Sequence, residues 1–79
     1  MNHMLKIAPA YFQAVRDGRK TFEIRKNDRH FEEGDGVTLR EYDGGYTGRL
    51  HAATIGYVTA YEQQPGYVVF SLLLAKEPT

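Results

Sequence analysis

The 79-residue chain has room for one folded domain, residues 1–79, and its 42% hydrophobic and 13% aromatic content excludes the disordered class. Ten basic residues offset ten acidic ones, which argues against a uniformly polycationic nucleic-acid binder while leaving room for a local basic patch. Without cysteine there is no disulfide or zinc–thiolate site, so a domain this small must be stabilised by its apolar core or by self-association. No apolar run approaches the roughly 18 residues of a membrane span. The first residues lack the basic and long apolar segments of a secretion signal. The expectation is a cytoplasmic protein with no membrane partner.

The first predicted element is a short strand over His3–Ile7, where Met4 and Lys6 alternate with Leu5 and Ile7. Ala8–Gly18 reads as the one helix: Pro9 suits its first turn, Phe12 and Val15 share a face, and Gly18 suits the left-handed position after its end. From Lys20 the period becomes two, with Phe22 and Ile24 on one strand face and Thr21, Glu23 and Arg25 on the other. Asn27 and Asp28 end or bend that strand, Phe31 anchors the loop, and Glu32–Gly36 supplies a turn. A third strand alternates Val37, Leu39 and Glu41 with Thr38, Arg40 and Tyr42. Asp43-Gly44-Gly45 is a tight turn, and Leu50–Tyr61 reads as a long strand interrupted at Gly56. After the turn at Gln63–Gly66, Tyr67–Leu74 is apolar on both alternating sets, as befits a strand covered on each side. Lys76–Thr79 reads as a tail. Together these elements predict an α+β fold, a small closed or nearly closed β-barrel of about five to six strands with one N-terminal helix packed against it.

The overall neutrality conceals a division. Residues 16–29 hold six basic and three acidic residues, a net +3, whereas residues 30–79 carry a net −4 and Lys6 supplies the remaining +1. The positive segment, from the helix end into the next strand, is either a phosphate-facing strip or a solvated surface favoured by the helix dipole. Within it, Gly18-Arg19-Lys20-Thr21-Phe22-Glu23-Ile24-Arg25 fits G-x-K-x-x-E-x-R. That spacing puts a lysine at the mouth of a strand and sets a carboxylate and a guanidinium two residues apart on one face. Glu23 can hold Lys20 or Arg25 by a charge-assisted bond and leave their other donors for an anion or a base edge. An exposed charge cluster is the alternative.

The chain here resembles the ASCH (activating signal cointegrator homology) family of the PUA-like clan, whose G-x-K-x-x-E-x-R signature is met by Gly18, Lys20, Glu23 and Arg25. The likeness extends to a short bacterial and phage branch through His3-Met4-Leu5-Lys6, Pro9-Ala10-Tyr11-Phe12, Asn27-Asp28-Arg29-His30-Phe31, Gly34-Asp35, Tyr46-Thr47-Gly48-Arg49 and Gly66-Tyr67-Val68-Val69. The resemblance implies a PUA-like pseudobarrel whose cleft, between helix and barrel, binds RNA or a nucleotide-like ligand. One enzymatic branch of the family hydrolyses the acyl group of N4-acetylcytidine, with a threonine nucleophile where this chain has Glu23 and a lysine matching Lys20. No motif assigns that branch's distant glutamate to Glu62 or Glu77.

Two functions follow as expectations. The leading one is a binding module that holds RNA or a nucleotide-like group in a cleft lined by Lys20, Glu23, Arg25, Asn27 and Arg29, with Tyr46 and Arg49 on its rim. The alternative is a small amidohydrolase acting on a modified nucleobase such as N4-acetylcytidine, with Lys20 near the chemistry and Thr21 or Glu23 as base or nucleophile. Asn27-Asp28-Arg29 equally suits a backbone-bonded turn, and Tyr46-Thr47-Gly48-Arg49 equally suits ordinary strand positions. No cofactor is expected. Neither is a metal, since His3, His30 and His51 lack ligand spacing, and Gly44-Gly45 lacks the Gly-Lys of a phosphate loop.

Overall fold

Strand β1 (Asn2–Ile7) places His3, Leu5 and Ile7 on a buried face and Asn2, Met4 and Lys6 outside, as its two-residue period requires. In this computed structural model, which describes residues 1–74, it is followed by α1 (Pro9–Arg16), β2 (Phe22–Lys26), β3 (Gly36–Tyr42), β4 (Tyr46–Thr59) and β5 (Tyr67–Leu74). The strands form one sheet in the order β1-β3-β4-β5-β2. β1 runs parallel to β3, and every other pair is antiparallel. The sheet curls into a half-barrel with β1 and β2 as its two edges; the described residues hold five strands, within the expected five to six, and among them the ladder is not closed.

Pro9 opens α1 at a position where its missing N–H costs nothing, and Arg16 in the last turn favours the negative end of the helix dipole. The helix stops at Gly18, whose φ of +77° no β-carbon-bearing residue adopts readily. Phe12 and Val15 are fully buried against the inner face of the sheet. There they join Leu5, Ile7, Phe31, Val37, Leu39, Ala53, Ile55, Val68, Phe70 and Leu72. Phe31 anchors the β2–β3 loop as expected, its ring 4.9 Å from that of Phe70 and 4.7 Å from the imidazole of His3.

β4 begins at Tyr46, four residues before the expected start, and ends at Thr59 rather than Tyr61. Its early residues continue the hairpin from β3, with Tyr42 opposite Tyr46 and a register shift between Arg40 and Tyr42. The interruption at Gly56 is a second register shift, between Ile55 and Val58. A β-carbon at Gly56 would lie 2.5 Å from Ser71 Oγ, which accepts a hydrogen bond from the Tyr57 N–H, so a side chain there would displace the local pairing. β5 departs from its expected double coverage. Val68, Phe70 and Leu72 enter the core, but Leu73 is 57% exposed because α1 covers only the concave face. The expected tail at Lys76–Thr79 lies outside the described residues.

The β2–β3 loop is pinned by a polar pair between buried His3 and the half-buried Asp35. His3 Nε2 lies 2.8 Å from Asp35 Oδ2, and the Glu32 N–H donates to that same carboxyl oxygen at 3.2 Å. The backbone C=O of Asp35 accepts from the Ile55 N–H, tying the loop to β4. The His3 hydrogen bond holds the Asp35 carboxyl below its ordinary range. A depressed folded-state value stabilises the fold above the ordinary carboxylate pKa of about 4 and loses that contribution as pH falls through the depressed value. Thermal melts should show the native chain more stable than Asp35→Asn near neutrality, with the gap closing below about pH 4; a gap independent of pH would contradict this role. In urea melts, Leu39→Ala should cost about 2–5 kcal/mol and Leu73→Ala less than about 1 kcal/mol.

Candidate functional site

The motif strand is inverted relative to the rest of the sheet. β2 turns its apolar residues outward, leaving Phe22 44% and Ile24 52% exposed, and turns Glu23 inward, where it is only 4% exposed. Register explains the direction: Glu23 pairs with Phe70 and Arg25 with Val68, both core residues, and directly opposed residues in an antiparallel ladder share a face. The buried apolar core consequently contains no residue of β2.

A buried carboxylate costs several kcal/mol unless paired, and Glu23 is paired twice. Lys20 Nζ donates to Glu23 Oε1, and also to the Phe22 C=O at 2.7 Å. Arg25 Nε donates to Glu23 Oε2 at 2.8 Å. Lys20 is brought there by the way α1 ends: the N–H groups of Arg19 and Lys20 both donate to the Ala14 C=O, folding the chain back before β2 begins. The three side chains together carry one net positive charge.

Arg25 also joins the two sheet edges. Its Nη2 donates to the Lys6 C=O at 2.6 Å, and Arg29 Nη1 donates to the Met4 C=O at 2.7 Å. These carbonyls are two residues apart on the edge of β1 that has no strand partner, where backbone groups would otherwise need water or another chain. Guanidinium bridges therefore stand where a closed barrel would have a ladder. The seam leaves a cleft of about 590 Å³ lined by Lys6 and Ile7 of β1, Ala8 and Tyr11 at the start of α1, and Lys20 and Phe22 to Arg25. Across Arg25 a second hollow of about 280 Å³ continues the seam past Asp28, Arg29 and Tyr67. At the mouth of the cleft the Phe22 ring lies 4.9 Å and the Tyr11 ring 5.7 Å from Lys20 Nζ.

Of the residues singled out from sequence, Lys20, Glu23 and Arg25 converge here, and Arg29 lies farther along the same seam. Asn27 serves its turn: its Oδ1 accepts from the Phe31 N–H at 3.0 Å. Thr21 is exposed and absent from the cleft lining, and its C=O accepts from the Leu72 N–H. Neither Tyr46 nor Arg49 lines the cleft. In the β3–β4 hairpin Tyr46 lies opposite Tyr42 with its ring on the Arg40 guanidinium, while Thr47 and Arg49 turn to Glu41, a second buried carboxylate. Thr47 Oγ1 donates to Glu41 Oε1 at 2.8 Å and Arg49 Nη1 approaches Glu41 Oε2 at 3.4 Å. Arg49 Nη2 reaches Gln13 Oε1 at 3.1 Å, and its guanidinium lies 4.9 Å from the Phe12 ring centre, so this box fastens α1 to the hairpin. Sequence reasoning did not assign Glu41 a role, although its place on the Val37–Leu39 face was the available signal. Lys6 and Tyr11 were also missed as cleft residues, despite lying in two of the quoted boxes.

Among the described residues no group of three or more His, Cys, Asp or Glu side chains could hold a metal ion, and no helix is long and apolar enough to cross a membrane. Comparison with known proteins gives a relative in Escherichia phage P2, the "Uncharacterized 12.9 kDa protein in GpA 3'region", 43% identical over 58 residues. That match covers 72% of this chain and 53% of the relative, so the chain spans about half the length of that protein. A family model described as a domain of unknown function, DUF3850, matches residues 2–72, from the start of β1 into β5. With both the inverted β2 and the Glu41 cluster inside that span, the chain belongs to the DUF3850 family.

Proposed function

We propose that the chain is a binding module, a PUA-like pseudobarrel of the ASCH type that takes RNA or a nucleotide-like group into the seam cleft. The observation that carries this reading is the inward Glu23, held between Lys20 and Arg25 on the wall of an open cleft whose mouth bears two aromatic rings. A strand that leaves Phe22 and Ile24 half exposed to seat a carboxylate forgoes about half of the roughly 1.5–3 kcal/mol that full burial of each would contribute. Polar recognition in the cleft is a function that offsets such a loss. Tyr11 and Phe22 can stack on a flat base, while Lys20 and the outer nitrogens of Arg25 offer donors to its acceptors or to a phosphate. The match of Gly18, Lys20, Glu23 and Arg25 to the ASCH signature supports the same assignment.

Binding is favoured over nucleobase amide hydrolysis on two counts. Both oxygens of Glu23 already accept from cations, and Thr21, the hydroxyl nearest in sequence, does not line the cleft. Incubation with N4-acetylcytidine should accordingly release no acetate. In fluorescence titrations at low and moderate salt, mixed-sequence single-stranded RNA should bind. The combined Lys20→Ala and Arg25→Ala substitutions should weaken it by at least about tenfold, the scale of one or two charge-assisted hydrogen bonds, with the fold verified by circular dichroism. Absence of binding, or binding indifferent to both substitutions, would overturn the reading.

A further inference from the structure

We infer that the outer face of β1, β3 and β4 beside the cleft is a second nucleic-acid contact, which makes the ligand a single-stranded oligonucleotide rather than a free nucleotide. The inference rests on the cleft reading above and begins from how the charges are used. Three cations of the motif boxes are already ion-paired, Lys20 and Arg25 to Glu23 and Arg49 to Glu41. Lys6 and Arg40, by contrast, have no carboxylate within ion-pairing distance among the described residues. The five strands contain only two carboxylates, Glu23 and Glu41, and both are buried. The convex face of the sheet therefore offers cations with no strand carboxylate to neutralise them.

Those cations stand among aromatic rings. The Arg40 guanidinium lies 3.7 Å from the centre of the Tyr46 ring, and Lys6 Nζ lies 4.4 Å from that of Tyr42. The two tyrosine rings meet edge to face at 5.2 Å, and Tyr46 is 48% exposed. Cations and aromatics interleaved on an open surface form the pairing that holds a single strand, with phosphates on the cations and unstacked bases on the rings. Lys6 belongs to this patch and also lines the cleft. A strand with one nucleotide in the cleft can thus pass over Lys6 and reach Tyr46 across two strand spacings, about 10 Å. An acidic peptide would match the charge but would make no use of exposed rings in this arrangement.

The test compares the four nucleoside 5′-monophosphates with a pool of single-stranded RNA pentamers on the native chain. Arg40→Gln and Tyr46→Leu are then measured with the pentamers, their folds checked by amide spectra. The pentamers should bind at least about tenfold more tightly than the best monophosphate, and each substitution should reduce pentamer affinity by about fivefold to tenfold. Arg40→Gln should also lower the slope of log affinity against log salt by about 0.7, one phosphate contact on a single strand. Pentamers that bind no better than a monophosphate, as when a protein covers this face, would overturn the inference and leave the cleft reading standing. Should Tyr46→Leu disturb the hairpin, an unchanged affinity and salt slope in Arg40→Gln suffices to overturn it. Binding of neither probe would remove the cleft reading itself.

Discussion

The buried carboxylate of Glu23 determines how the rest of the molecule is arranged. An anion that is 4% exposed must be neutralised where it lies, and Lys20 and Arg25 do so from the helix end and from the same strand. Once Arg25 is fixed by its Nε, its far nitrogen reaches the free edge of β1. The carboxylate thereby orients a bridge between strands that share no ladder. A one-residue slip of β2 would send Phe22 and Ile24 inward and the charges outward, since the side-chain period of a strand is two. The sheet would then bury more apolar surface and lose the polar wall of its cleft.

This arrangement gives smallness a particular form. A chain of this size has one core, and here that core is supplied by four strands, two helical side chains and Phe31 of the β2–β3 loop, while β2 contributes charge instead. Two buried carboxylates within 74 described residues are a heavy load, and each is met by an arginine that also fastens a second element. Arg25 ties β2 to β1, and Arg49 ties the β3–β4 hairpin to α1. Unlike those committed arginines, Lys6 and Arg40 on the convex side have no carboxylate partner among the described residues. Among the described residues, the acids within strands are Glu23 and Glu41, both buried, and the others lie at the helix end or in loops.

Much of the local structure was legible because local chemistry dictates it. Pro9 and Gly18 bracket the helix, and the alternation of Val37, Leu39 and Glu41 with Thr38, Arg40 and Tyr42 reads as the strand that β3 forms. The inversion of β2 was not legible, since alternation separates Phe22 and Ile24 from Glu23 and Arg25 but cannot say which set faces inward. That choice is made by tertiary partners, Phe70 and Val68 across the ladder and Lys20 from the helix end. The apolar run of β5 misled for a related reason. Leu73 lies on the convex face, which no second layer of the described residues covers, and composition alone cannot report a missing layer. Tyr46 and Arg49 were grouped with the cleft, whereas the hairpin's register shift, a product of long-range pairing, delivers Arg49 to Glu41.

The claim on which the account turns is that Glu23 seats Arg25 across the seam, and the Arg25 Nε–H reports on it directly. In an arginine side-chain NMR spectrum, that proton should exchange with water far more slowly than those of the exposed Arg16 and Arg19, and the slowing should vanish in Glu23→Gln. Exchange of Arg25 as fast as that of Arg16 in the native chain, or protection unaltered by Glu23→Gln, would contradict the account.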